Sequence, residues 1–143
     1  MLGPFPYDGK YRIAGSLTPA DIPTLKEMGI TLVVNAGPDH EVRGGLTSHE
    51  LRHLLSQAGI MFADIPFTLA ELTSGHVDTF LTVATPARKV LVACADGERS
   101  ATLLAAADLK AGKLPGAVAE KASAAGFKLD DTIASLVLTR EAA

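Results

Sequence analysis

Lys89-Val90-Leu91-Val92-Ala93-Cys94-Ala95-Asp96-Gly97-Glu98-Arg99-Ser100 is the stretch on which the reading of this chain turns. The apolar run ending at Ala93 has the length and composition of a buried strand. It leads straight into a glycine-containing turn and then into an alanine- and leucine-rich helix from Ser100 to about Lys110. A strand that ends in a cysteine, turns and enters a helix gathers backbone N–H groups and a helix N-terminus around one point, and such a point binds anions. The same field stabilises a thiolate, so Cys94 is expected to be nucleophilic at neutral pH. Gly97 lets the loop curl without a side-chain clash. Arg99 offers a planar, always-charged fork to two oxygens of an oxyanion. Ser100 can cap the helix or hydrogen-bond the thiolate, and Ala95, Asp96 and Glu98 complete the loop. A lone cysteine at the end of a core strand is also commonly just a small buried hydrophobe. Spacing alone leaves the two readings level; the position between strand and helix favours the reactive one.

Outward from this loop the chain alternates strands and helices. Tyr11 to Gly15 reads as a strand, followed by a helix from about Pro19 to Met28 with Thr18 as its cap and Gly29 as its stop. Ile30 to Asn35 is a β-branched run of strand length, ended by the turn residues Gly37-Pro38-Asp39. Thr47-Ser48-His49-Glu50 has the form of a capping box, and Leu51, Leu54, Leu55 and Ala58 make a helical stripe before the strand Ile60 to Ile65. A third helix starts after Thr73 and runs to about Ala84, and two more span roughly Pro115 to Ala125 and Asp130 to Arg140. The alternation predicts an α/β fold with a mostly parallel central sheet of four to five strands flanked by helices on both faces.

The bulk numbers bound the rest. A length of 143 residues with 48% hydrophobic residues suits one domain, 1–143, around one sizeable core. A net charge of −3 favours neither nucleic acid nor an anionic membrane, so any anion site has to be local. The N-terminus lacks a basic start with an apolar run, and no stretch approaches a membrane span, so a cytoplasmic location is expected. One cysteine cannot form an internal disulfide, which fits a reducing compartment.

Val90 to Cys94 followed by Gly97, Arg99 and Ser100 resembles the signature of the bacterial phosphatase-like domain named after beta-lactamase hydrolase-like proteins, a relative of dual-specificity phosphatases. The resemblance extends to Ala14-Gly15-Ser16, Asn35 to Asp39, Asp64-Ile65-Pro66 and Ala124 to Leu129. It implies a three-layer architecture of the cysteine-phosphatase type and either phosphatase or sulfur-transfer activity without a cofactor. The chain departs from the family pattern at Ala93, where a histidine commonly precedes the cysteine, and at Gly37, where relatives often carry an arginine; Arg43 lies nearby in sequence. Asp96 and Glu98 put two carboxylates in the loop, which repel a dianionic phosphate if they point inward.

Cysteine phosphatases typically place one residue more between cysteine and arginine than the four found here, a count shared with many rhodanese-like sulfur-transfer loops. In the phosphatase reading Cys94 attacks the phosphorus of a phosphate monoester, Arg99 and the loop N–H groups hold its oxygens, and a carboxylic acid protonates the leaving alcohol. By analogy with the phosphatases that acid lies roughly thirty residues upstream, where Asp64 and Glu71 stand. The alternative is a rhodanese-like transferase that carries sulfur as a Cys94 persulfide and needs no acid. A third reading is a catalytically degenerate module that binds an anion or a partner. The expected ligand is a small oxyanion or a phosphorylated substrate.

His49-Glu50-Leu51-Arg52-His53 matches the His-Glu-x-x-His zinc pattern. The extended form needs glycine at 56 and histidine at 59, where the chain has Ser56 and Gly59. Glu50 is already accounted for by the capping box, and the leucines define a different, buried face, so no metal site is expected. His40 and His76 read as ordinary loop and helix-start residues.

Overall fold

The structure, a computed structural model, describes residues 1–41, 44–133 and 136. β5 (Val90–Ala93) is buried along its whole length because it is the middle strand of five. β2 (Tyr11–Ala14) pairs with it in parallel on one side and β3 (Leu32–Asn35) on the other. β4 (Met61–Asp64) adds in parallel beyond β3, and β1 (Phe5–Pro6) closes the opposite edge antiparallel to β2, giving the order β1-β2-β5-β3-β4. The mostly parallel sheet expected from the alternation is therefore present, at five strands. β1 escaped the sequence reading because two residues, one of them proline, carry no periodicity, and an edge is where a sheet tolerates proline.

Side chains of β5 alternate between two cores. Leu91 and Ala93 face a cluster with Leu25 of α1 (Asp21–Glu27) and Leu51 and Leu55 of α2 (Ser48–Gln57). Val90, Val92 and Cys94 face a second cluster built from α3 (Ser74–Ala84), α4 (Glu98–Lys110) and α5 (Pro115–Ala124). These are the three layers that the period-two pattern of a doubly covered strand demands. α4 lies deepest, with nine of its residues from Ser100 to Leu109 buried, which explains its alanine-rich composition: small side chains let the helix sit close to the sheet.

Helix ends follow local sequence chemistry at α2 and depart from it at α1 and α4. Thr47 and Glu50 form the expected capping box on α2. A second box, missed in the sequence, opens α3: the Thr73 N–H donates to His76 Nδ1 (3.0 Å) and the His76 N–H to Thr73 Oγ1 (3.4 Å). At α1 the expected roles reverse, because the Thr18 N–H and hydroxyl both donate to the Asp21 carboxylate and no side chain caps the helix. α4 begins at Glu98 instead of Ser100, a correction with consequences for Arg99. Residues 130–133 are helical, and the remainder of the expected last helix lies largely outside the described residues. Among the described residues no helix is long and apolar enough to cross a membrane.

Candidate active site

The C-terminal end of β5 delivers Cys94 to the carboxyl edge of the sheet, where parallel α/β folds place their sites. Its backbone is held from two sides: the Cys94 N–H donates to Ala14 O (3.1 Å), and the Ala36 N–H to Ala93 O (2.8 Å). Cys94 is 3% exposed. The chain then turns through Gly97, which takes φ +88° and serves as the N-cap of α4. The turn aims the Gly97 N–H at Cys94 Sγ over 3.1 Å. Glycine is required here twice over, because a Cβ would need a left-handed backbone and would stand 2.8 Å from the Phe127 ring and 3.1 Å from Ile13. Asp96 tightens the same turn by accepting the Glu98 N–H at 2.9 Å, leaving its Oδ1 4.0 Å from Cys94 Sγ. Asp96 and Glu98 are exposed, as is Ala95.

Because α4 starts at Glu98, Arg99 stands in its first turn with its side chain only 17% exposed. Both terminal nitrogens of its guanidinium engage the Glu41 carboxylate, Nη2 donating to Oε2 at 2.7 Å and Nη1 to Oε1. Arg99 Nε and Ser100 Oγ are buried and have no hydrogen-bond partner among the described residues. Two adjacent polar groups left without partners among the described residues at the start of a buried helix cost free energy unless something binds there. A thiolate and an oxyanion are the acceptors that such donors suit.

Glu41 was not legible in the sequence. It lies 58 residues from Arg99, on a 3-10 turn (Asp39–Glu41) that follows β3, and no local spacing connects the two. The segment that carries it is built with care. The Asn35 amide donates to Gly37 O and to Asp64 Oδ1, both at 2.8 Å, and its carbonyl oxygen accepts the Gly37 N–H at 3.3 Å. Asp39 accepts the Ser48 N–H at 2.8 Å and so ties the turn to the start of α2. Gly37 lies against the cysteine: a Cβ there would come within 3.2 Å of Cys94 Cβ. A larger residue at this position has to point away or push Cys94.

The other predicted residues fall as follows. Asp64 ends β4, is exposed and orients Asn35. Glu71 is exposed on the 3-10 turn Leu69–Glu71 and accepts the Thr68 hydroxyl at 2.6 Å. Ala93 faces the α1/α2 core. Arg43 lies outside the described residues. His49 and His53 are exposed on α2, and among the described residues no group of three His, Cys, Asp or Glu side chains could hold a metal ion. A pocket of about 20 Å³, room for a water, lies between Cys94, Gly37 and Ser16. Beside it opens a cleft of about 620 Å³ lined by Leu2, Ser16, His40, Glu41 and Ala95.

Residues 8–112, from the β1–β2 turn through the cysteine loop to the end of α4, match the family model described as beta-lactamase hydrolase-like protein, phosphatase-like domain. The chain belongs to this family. No curated protein matches by sequence. Solved structures with the same fold include a Neisseria meningitidis protein provisionally assigned as a phosphatase, with TM-score 0.84 and 25% identity over 95% of this chain and 97% of that one. A cysteine-to-serine variant of P. aeruginosa TpbA, in complex with pTyr, superposes with TM-score 0.66 and 18% identity over 90% of this chain and 77% of its own. PTPMT1 in complex with PI(5)P gives TM-score 0.66 and 17% identity over 96% and 97%. Those two bind different ligands on one fold, so the phosphatase-like domain described here shares an architecture with them while its substrate has to be argued from its own site.

Proposed function

We propose that this phosphatase-like domain hydrolyses phosphate monoesters through Cys94. The observation that carries the reading is the Gly97 N–H held 3.1 Å from Cys94 Sγ at the N-terminus of α4, beside the Arg99 Nε, which is buried without a partner among the described residues. In the reaction the Cys94 thiolate attacks phosphorus, the S–P bond forms as the P–O bond to the alcohol breaks, and the loop N–H groups with Arg99 hold the non-bridging oxygens. The alcohol oxygen leaves with a proton from a general acid or from water. Water then attacks the phosphocysteine, releasing inorganic phosphate and restoring the thiolate. Ser100 donates its buried hydroxyl to the thiolate as it forms. Asp64 and Glu71 are the carboxyl groups assigned to the acid, each already accepting one hydrogen bond from a neighbour. A nucleophile of this kind works reduced, which suits the cytoplasm.

Sulfur transfer is the second reading, and the commitment of Arg99 to Glu41 favours it. With the fork neutralised and Asp96 Oδ1 4.0 Å from Sγ, the site lacks the surplus positive charge that suits a phosphate dianion. In this reading the Cys94 thiolate takes the outer sulfur of thiosulfate, releasing sulfite, and passes it from the persulfide to an acceptor thiolate or cyanide.

Release of aryl alcohol from p-nitrophenyl phosphate by the purified protein separates the two. The expected outcome is turnover that falls by about a hundredfold or more in both Cys94→Ser and Arg99→Ala. Because an aryl oxide leaves without assistance, Asp64→Asn and Glu71→Gln are compared on an alkyl phosphate, where the acid loses at least about tenfold. No Cys94-dependent phosphate release, with thiocyanate formed from thiosulfate and cyanide, replaces hydrolysis by sulfur transfer; neither activity leaves the degenerate binding module.

A further inference from the structure

We infer that Glu41 is a positioning residue that holds the Arg99 guanidinium end-on, so that its Nε edge is presented to the bound oxyanion; this rests on reading the Cys94 loop as an oxyanion site. A guanidinium has five N–H groups, and a carboxylate bridging Nη1 and Nη2 uses one from each. That leaves the Nε–H and the neighbouring Nη–H as a second, parallel pair on the side edge, which is the other bidentate surface of the fork. Glu41 takes the end. The side edge is left with Nε buried and without a partner among the described residues. A carboxylate acting as an internal substrate mimic would occupy the edge that the oxyanion needs and would satisfy Nε; this one does the opposite.

The anchoring of Glu41 supports the same role. The Glu41 N–H donates to Pro38 O (3.1 Å), closing the 3-10 turn. Asn35 clamps Gly37, and Asp39, which opens the turn, accepts the Ser48 N–H at the start of α2. The carboxylate therefore reaches Arg99 from a turn tied both to β3 and to the start of α2, and side-chain freedom that Arg99 would otherwise lose on binding is already removed by the contact. The pair is formally neutral, so attraction for an oxyanion comes from directed N–H groups more than from net charge.

Side-chain NMR of ¹⁵N-labelled protein tests this without requiring turnover. The Arg99 Nε–H resonance is assigned as the one absent from Arg99→Ala. In Glu41→Gln, with the thermal midpoint checked, its exchange with water is expected to speed up by about tenfold or more as the guanidinium loses its end-on partner. Affinity for inorganic phosphate is expected to fall about tenfold, and kcat/KM on p-nitrophenyl phosphate about tenfold to a hundredfold, carried mainly by kcat. In the Arg99→Ala background Glu41→Gln should add nothing, since the two act as a unit. Unchanged Nε–H exchange overturns the proposal, and so does phosphate affinity that rises in Glu41→Gln, which would make the carboxylate a competitor. A protein that neither binds nor hydrolyses phosphate, yet loses Nε–H protection in Glu41→Gln, ends the oxyanion reading and leaves the positioning contact standing.

Discussion

The two ends of α4 are built in opposite ways. At its C-terminal end Asp108, with a side chain 13% exposed, accepts the Tyr7 hydroxyl at 2.8 Å and the ammonium groups of Lys121 and Lys113, each at 3.0 Å. Lys121 also reaches Asp8 at 3.1 Å and stands over the Tyr7 ring at 4.6 Å. At the N-terminal end, Arg99 Nε and Ser100 Oγ are buried with nothing in the described residues to satisfy them. One end is a closed network of donors and acceptors, and the other keeps donors in reserve. Polar groups whose partners are all internal hold the fold, and polar groups left without them mark the place where a ligand completes the structure.

The largest stability effect should come from the closed end. Asp108→Asn removes the charge shared by Tyr7, Lys121 and Lys113 and turns one of the two acceptor oxygens into a donor, and should cost roughly 1–3 kcal/mol in urea unfolding, while turnover per folded molecule stays at the wild-type level. A loss of activity larger than the loss of folded protein would break the division between the two ends.

The pH dependence of stability sharpens it. Burial by itself raises the Asp8 carboxyl, but hydrogen bonds from the Tyr11 and Lys10 N–H groups and from Lys121 outweigh it and hold the group below its ordinary range. A depressed carboxyl contributes stability that is present above its unfolded value and is lost as pH falls through the folded one, so an acid limb is expected in wild type and in Asp108→Asn alike. Burial lowers Lys121, and its partners Asp108 and Asp8 outweigh that to leave it raised; Tyr7 is raised by burial first and by Asp108 next. Raised groups contribute below their unfolded values and lose that contribution as pH climbs through the folded ones. The stability gap between wild type and Asp108→Asn should therefore narrow in alkali, as read from urea midpoints; a gap that widens there would contradict the assignment.

The smallest effect on stability belongs to the open end. Ser100→Ala deletes a buried hydroxyl that has no partner in the described residues, so its unfolding free energy should lie within about 0.5 kcal/mol of wild type or slightly above it, while kcat falls. A clear loss of stability would show that the hydroxyl is satisfied in the folded protein and that the contrast between the ends is weaker than drawn.

How much of this was legible in one dimension follows from the range of each interaction. Val90 to Ala93 announces a central strand because burial on both faces removes polar residues from a short run, and Thr47 to Glu50 announces a helix start because a cap is made within four residues. The loop from Cys94 to Ser100 was legible as a candidate site for the same reason: its turn, its N–H groups and its cysteine are consecutive. α4 starts two residues before Ser100, since Gly97 in a left-handed conformation and the Asp96 carboxylate, accepting the Glu98 N–H, close the helix start that Ser100 could also have capped.

The sequence by itself determined the α/β class, the mostly parallel sheet, the cysteine loop and the small-residue helix behind it, all of them consequences of neighbours along the chain. Only the tertiary structure decided that Glu41 meets Arg99, that Asp64 serves Asn35, that Gly37 presses on Cys94 and that Asp108 gathers Tyr7 and Lys121. These pairs are set by which strands and helices lie side by side, and adjacency in space leaves no periodicity in the residues that it joins.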